Sequence, residues 1–113
     1  WKEVGGPDLA VSLVYGADIP GTNSVFQKQV MDGEPYVAKQ VAATKAPDVK
    51  AKVIATPGAI GLAPAALIDA SVSAPEIPEV GRPMTLVTRG EPSPLVLKMI
   101  QYIMGDGKKY IDK

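Results

Sequence analysis

Neither cysteine nor histidine occurs in the 113 residues of the chain. These absences exclude disulfides, thiol chemistry, zinc sites built from Cys and His, and any nucleophile that a histidine would activate. Twelve basic residues balance twelve acidic ones, so no overall field attracts the chain to nucleic acid or to an anionic membrane. The longest uncharged run, residues 53–68, contains two prolines and two glycines and is shorter than the roughly 20 residues that span a bilayer. We therefore expect this run to belong to a protein core, and we expect no nucleic-acid partner.

Hydrophobic periodicity and turn residues predict a single α/β domain over residues 1–113, with a sheet and flanking helices. Alternating apolar residues predict the strands, and i,i+4 apolar pairs predict the helices. Strands are expected at residues 9–15, 59–63 and 83–88, and helices at residues 22–31, 47–56 and 93–104.

The segment around Pro57 and Gly58 is the clearest boundary in the chain, because this pair ends the preceding helical pattern. The uncharged residues 59–63 that follow are typical of a strand buried on both faces. Gly61 lies inside this predicted strand, where a glycine indicates close approach of a neighbouring backbone, helix or ligand.

The sequence also predicts where the last helix starts and several short elements. Ser93 is expected to cap the last helix, with Pro94 at its first position. Tyr36 is one of several apolar anchors within residues 33–46, which otherwise read as mixed loop and weak helix. We also expect a short helical turn at residues 64–69, a brief strand at 71–73, and a final turn at 108–113 that adds Tyr110 and Ile111 to the core.

One segment has the composition of a ligand site, namely the start of the first helix at Gly21, Thr22, Asn23 and Ser24. A helix N-terminus presents unpaired N–H groups and a positive dipole end, and short hydroxyl and amide side chains add donors for an oxyanion. The same residue types are also ordinary helix caps. Thr22, Asn23 or Ser24 can cap the helix, and Ser24 with Gln27 has the spacing of a capping box.

Catalysis is not predicted. Carboxylates at Asp18, Asp32 and Glu34 could form an acid–base pair in principle, but no motif places them together, and scattered carboxylates are typical of a protein surface. No residue pattern indicates a metal or a cofactor. We therefore interpret the chain as a binding or interaction protein and not as an enzyme.

Four segments resemble, in the same order, motifs of the phosphate-type substrate-binding proteins of ABC transporters, which are two-lobed type II periplasmic binding proteins. The motifs are N-W-x-x-V-G-G, S-G-T-x-x-x-F, V-A-x-x-P-G-A-I-G-Y and R-P-L-y-L-V-T-K-G-E-P. The matching segments here are W-K-E-V-G-G at 1–6, P-G-T-N-S-V-F at 20–26, V-I-A-T-P-G-A-I-G at 53–61 and R-P-M-T-L-V-T-R-G-E-P at 82–92.

The resemblance implies part of a type II fold with a mixed sheet and flanking helices. Residues 1–75 would belong to the second lobe, residues 74–81 would cross between lobes, and residues 82–113 would return to the first lobe. A full two-lobed protein is much longer than this chain, and Trp1 is not Met, so we expect a processed or cut piece whose upstream part is missing. Its uncovered apolar face would favour a homo-oligomer or a strand-exchanged dimer.

The function that the resemblance implies is solute binding for an ABC importer, with phosphate or a related oxyanion as ligand. The transporter permease would be the partner of the parent protein, and the location would be the periplasm or the outer cell surface. In this family the segment at Gly21 to Ser24 supplies phosphate ligands, so these four residues are the candidate site.

The chain departs from the family at the same segment. The family carries an arginine a few residues before the Gly-Thr pair and a serine immediately before it, whereas this chain has Asp18 in the loop and Pro20 in place of the serine. A missing bidentate arginine weakens anion binding, and Asp18 would repel a dianion. We therefore expect this piece to bind the anion weakly. A sensor or interaction module that keeps the fold without its ligand is the alternative.

Overall fold

The structure is a computed structural model that describes residues 1–111 of the chain. The chain divides into two compact units, Trp1–Gly81 and Arg82–Lys113. Within residues 1–111, every helix is too short or too polar to cross a membrane.

A three-stranded parallel sheet forms the centre of the first unit. Its strands are β1 (Ser12–Gly16), β2 (Val41–Ala43) and β3 (Ala59–Gly61), in the spatial order β2-β1-β3. Helix α1 (Pro20–Gln29) follows β1 along the chain, and helix α2 (Ala46–Ala55) connects β2 to β3. Parallel strands require such crossover connections. The predicted α/β class with flanking helices is therefore confirmed, but within the described residues the sheet is parallel and not mixed as expected.

The core of this unit lies between the sheet and α2. Val14 of β1 and Val49 of α2 are each 1% exposed and pack together with Ala43 of β2. A Cβ atom added to Gly61 would lie 2.6 Å from Cγ1 of Val49 and 3.3 Å from Cγ2 of Val53. The close approach predicted at Gly61 is confirmed, and the approaching element is helix α2.

Within the described residues, strand β3 pairs with β1 alone and is an edge strand. The side chain of Ile60 is 41% exposed, so the prediction that β3 is buried on both faces was wrong. Burial on both faces needs a covering layer on each side of the sheet. Among the described residues, β1 is the central strand and has a neighbour on each side.

Helix α1 begins two residues earlier than predicted, with Pro20 at its first position and Ile19 as its N-cap residue. Pro suits this position because its missing N–H would have no partner there. Ile19 has no side-chain cap, so the predictions that Thr22, Asn23 or Ser24 caps the helix, and that Ser24 and Gln27 form a capping box, were wrong. Instead, Gln27 donates from Nε2 to the carbonyl of Glu34 at 2.9 Å.

Strand β2 was missed, since residues 33–46 were interpreted as mixed loop and weak helix. The strand has three residues, and Val41 pairs with Val14 of β1. A strand this short has too few residues to show an alternating pattern.

The second unit contains helix α3 (Pro94–Met104) and a 3-10 turn at Asp106–Tyr110. The hydroxyl of Ser93 accepts a hydrogen bond from Val96 N at 3.4 Å, which confirms the predicted cap and the proline at the first position. Tyr110 and Ile111 are 63% and 60% exposed, so the prediction that they join the core was wrong. The last part of that predicted turn, residues 112–113, lies outside the described residues.

Two predicted strands are absent from residues 1–111, at 71–73 and at 83–88. Met84 and Val87, in the second of these, are 93% and 85% exposed. An alternating pattern gives a strand only when a neighbouring strand pairs with it, and within the described residues neither segment has one. The short helical turn predicted at 64–69 is confirmed as a 3-10 turn at Ala65–Leu67.

Candidate functional site

The candidate site lies where β1 ends and α1 begins, joined by the β1–α1 loop (residues 17–19). All three strands are parallel, so their carboxyl ends share one edge of the sheet. The loop is tied to the end of β2, because Ala17 N–H donates to the carbonyl of Ala43 at 2.9 Å and Asp18 N–H donates to that of Thr44 at 3.1 Å. The edge formed by the carboxyl ends of parallel strands is where such sheets commonly bind ligands.

Two backbone amides are free at the start of α1. Pro20 has no N–H, and Asn23 N–H is bonded to the carbonyl of Ile19 at 3.1 Å. Within residues 1–111, no acceptor takes a hydrogen bond from the amide of Gly21 or Thr22. These two donors at the positive end of the helix dipole can bind an anion.

The side chains of the four predicted site residues have different environments. Gly21 and Thr22 are partly buried, and Ser24 is exposed. Asn23 is only 4% exposed, and its Nδ2 donates to the carbonyl of Gly16 at 2.8 Å. The first turn of α1 therefore contains Gly21 and Thr22, whereas Ser24 follows in the second turn on a different face of the helix from Thr22. The Asn23 side-chain amide is directed to the main chain at the end of β1.

Tyr36 contacts this segment from the loop that follows α1. Its hydroxyl donates to the carbonyl of Asn23 at 2.6 Å, and its ring meets the Tyr15 ring edge to face at a centroid distance of 5.3 Å. Burial, and then the neighbouring Tyr15, raise the pKa of Tyr36, so the phenol remains a donor at neutral pH. The sequence identified Tyr36 only as an apolar anchor, because no local pattern indicates a partner 13 residues away.

A second polar cluster holds the end of β2 against the start of α2. Oδ2 of Asp48 accepts from Thr44 N at 2.8 Å and from Nζ of Lys52 at 2.9 Å, and the same ammonium donates to the carbonyl of Ala42 at 2.7 Å. The Thr44 N–H, followed by Lys52, lowers the pKa of Asp48. Lys52 is therefore engaged in holding this connection.

Besides the paired Asp48 and Lys52, the charges near the loop are few. Asp18 is exposed within the loop, and Lys45, also exposed, lies between β2 and α2 at the same edge of the sheet. No group of three or more acidic, histidine or cysteine side chains in the described part of the chain could hold a metal ion. The donors that remain for a ligand are mainly uncharged.

A curated protein resembles this chain. Over 93 residues the chain is 40% identical to the phosphate-binding protein PstS of Bacillus subtilis (strain 168). The match covers 80% of this chain, which spans about 30% of the length of that protein. No protein-family model matches the chain. No solved structure matches it either. The similarity supports a relationship to part of a phosphate-binding protein, and it points to a binding protein and not to an enzyme.

Proposed function

We propose that this chain is part of the solute-binding component of an ABC importer and contributes to the binding of phosphate or a related oxyanion. The observation that carries the proposal is the pair of free amides at Gly21 and Thr22, in a chain that is 40% identical to a phosphate-binding protein over 93 residues. An oxyanion at a helix N-terminus satisfies such donors and the helix dipole together. No catalytic step, metal or cofactor is part of this function.

The proposed ligand groups are the amides of Gly21 and Thr22 and the hydroxyl of Thr22. Ser24, which the sequence also suggested, lies in the second turn on another face of the helix. Asn23 belongs to the same segment, but its side chain is only 4% exposed and one of its two amide N–H groups is bonded to Gly16. Neutral hydrogen bonds contribute about 0.5 to 1.5 kcal/mol each, so a few of them give roughly millimolar affinity once the entropy of association is included. Weak binding by this chain alone is therefore expected.

The larger assembly follows from the same proposal. The parent would be a two-lobed type II binding protein of the periplasm or cell surface, and a transporter permease would be its partner. Residues 1–75 would form part of its second lobe and residues 82–113 would return to the first. In this chain alone, Leu95 is 78% exposed and Met99 is 61% exposed on α3, which supports self-association or strand exchange.

One observation favours a second function, a sensor or interaction module that has lost its ligand. The loop carries Asp18 and no basic residue, and a carboxylate disfavours an anion nearby. Under this alternative, the chain and its parent would bind none of the oxyanions.

Isothermal titration calorimetry with phosphate, sulfate and molybdate tests the proposal, on this chain, on its Thr22→Ala variant and on the full-length parent. We expect weak binding by this chain, weaker binding by the variant, and tight binding by the parent. Micromolar binding by this chain that survives Thr22→Ala would place the site elsewhere. An absence of binding by the parent would favour the sensor.

A further inference from the structure

Asn23 is the most constrained residue of the candidate site. Its side chain donates to Gly16 at the end of β1, its amide donates to Ile19 in the loop, and its carbonyl accepts from Tyr36. These contacts fix both the backbone and the side chain of Asn23, which directly follows Thr22 in the chain. The bond from Asn23 to Gly16 also closes the loop, because it joins the last residue of β1 to the first turn of α1.

The chemistry of Asn23 argues against direct contact with an anion. One of the two N–H groups of Nδ2, the donors that could bind an oxyanion, is already used at 2.8 Å by the carbonyl of Gly16. The remaining Oδ1 is an acceptor, which an oxyanion would repel. The residue is also only 4% exposed.

Tyr36 holds the backbone of Asn23, whereas Gly16 holds its side chain. Its hydroxyl is partly buried and is bonded to the Asn23 carbonyl, and its ring is held against Tyr15. Tyr36 itself makes no bond to Gly21 or Thr22. Its effect on those amides would therefore pass through Asn23.

We infer that Asn23 and Tyr36 are positioning residues, which hold the β1–α1 loop so that the amides of Gly21 and Thr22 face an anion. This inference rests on the proposed function, since it concerns the same site. It removes Asn23 from the set of direct ligands and adds Tyr36 to the residues on which binding depends.

The test compares Tyr36→Phe, which removes only the hydroxyl, and Asn23→Ser, whose shorter side chain does not reach Gly16, with the unaltered chain. Inorganic phosphate is titrated while the amide signals of Gly21 and Thr22 are followed by NMR. Amide hydrogen exchange of Ala17 and Asp18 is measured separately without phosphate. Val53→Ala is the matched control, because it loosens the α2 packing and leaves the loop contacts intact.

We expect phosphate to shift the Gly21 and Thr22 signals, and each test variant to bind about threefold to tenfold more weakly, the equivalent of one lost hydrogen bond. The Ala17 and Asp18 amides should exchange faster in both variants. Val53→Ala should lower thermal stability and leave the phosphate affinity unchanged.

Three results would overturn the inference. Unaltered phosphate affinity in both test variants would show that Asn23 and Tyr36 position nothing, and an equal loss in Val53→Ala would show that their role is only structural. If phosphate shifts neither amide in the unaltered chain, the proposed function fails and the anion-positioning role fails with it. In that case the exchange of Ala17 and Asp18 still decides whether Asn23 holds the loop.

Discussion

The contact between Gly61 and helix α2 gives the sharpest test of the packing. A methyl group added at Gly61 would meet Cγ1 of Val49 at 2.6 Å and the carbonyl oxygen of Val14 at 3.2 Å. Overpacking of this kind costs about 1 to 3 kcal/mol. Val49→Ala removes two buried methyl groups and leaves a cavity, which costs about 2 to 3 kcal/mol.

The double variant should be less destabilised than the sum of the two single variants. Val49→Ala removes the Cγ1 atom that the new methyl group would meet, so each substitution offsets part of the cost of the other. We expect a coupling free energy of at least about 1 kcal/mol in the direction of rescue. The rescue is partial, because the Val14 carbonyl remains close to the new methyl group.

Urea unfolding of the four proteins, followed by circular dichroism, measures this coupling. Gly81→Ala serves as the control, because a Cβ atom at Gly81 meets no other atom within 4 Å. The control should unfold like the unaltered chain. Additive losses in the double variant, or a neutral Gly61→Ala, would show that β3 and α2 are not packed as described.

Three further predictions concern charge and the exposed helix. Asp18→Asn should bind phosphate more tightly and Lys45→Ala more weakly, each by about twofold to fivefold, because both charges lie at the edge that holds the site. Titration calorimetry at low salt measures both affinities, and affinities equal to that of the unaltered chain would contradict this prediction. Because the pKa of Asp48 is lowered, its stabilising contribution is present above about pH 4 and is lost as the pH falls further. Acid should therefore destabilise the unaltered chain more than Asp48→Asn. Urea unfolding at several pH values measures this, and parallel curves of unfolding free energy against pH for the two proteins would contradict it. Leu95→Glu should reduce self-association in light scattering, because Leu95 is 78% exposed, whereas an unaltered mass would place the contact elsewhere.

Helices were largely predictable from the sequence because local residues determine where they begin and end. All three lie within two residues of their predicted bounds. Pro94 and Ser93 start α3, and Thr56 with Pro57 follows the end of α2. The start of α1 was placed late, because the polar residues at 22–24 suggested a cap, whereas the cap position belongs to Ile19.

Strands were less predictable because pairing, and not local sequence, determines them. Strand β2 has three residues and exists through its pairing with Val14 to Gly16. Residues 83–88 have a convincing strand pattern and no pairing partner within the described residues. The exposure of Ile60 likewise depends on how many strands and helices surround β3, which a local pattern does not encode.

The candidate site was predictable in part. A Pro-Gly-Thr sequence after a strand indicates free amides at a helix start, and the structure places the Gly21 and Thr22 amides there without partners among residues 1–111. The buried side chain of Asn23 and the hydrogen bond from Tyr36 were not predictable, because they depend on contacts between residues 7 and 13 positions apart.

A crystal structure of this chain grown in phosphate tests the central claim most directly. The account predicts a phosphate at the carboxyl edge of the sheet, with its oxygens within hydrogen-bonding distance of the amide nitrogens of Gly21 and Thr22. Sulfate in place of phosphate shows whether the site distinguishes the two anions. A phosphate bound elsewhere, with both amides left free, would contradict the account.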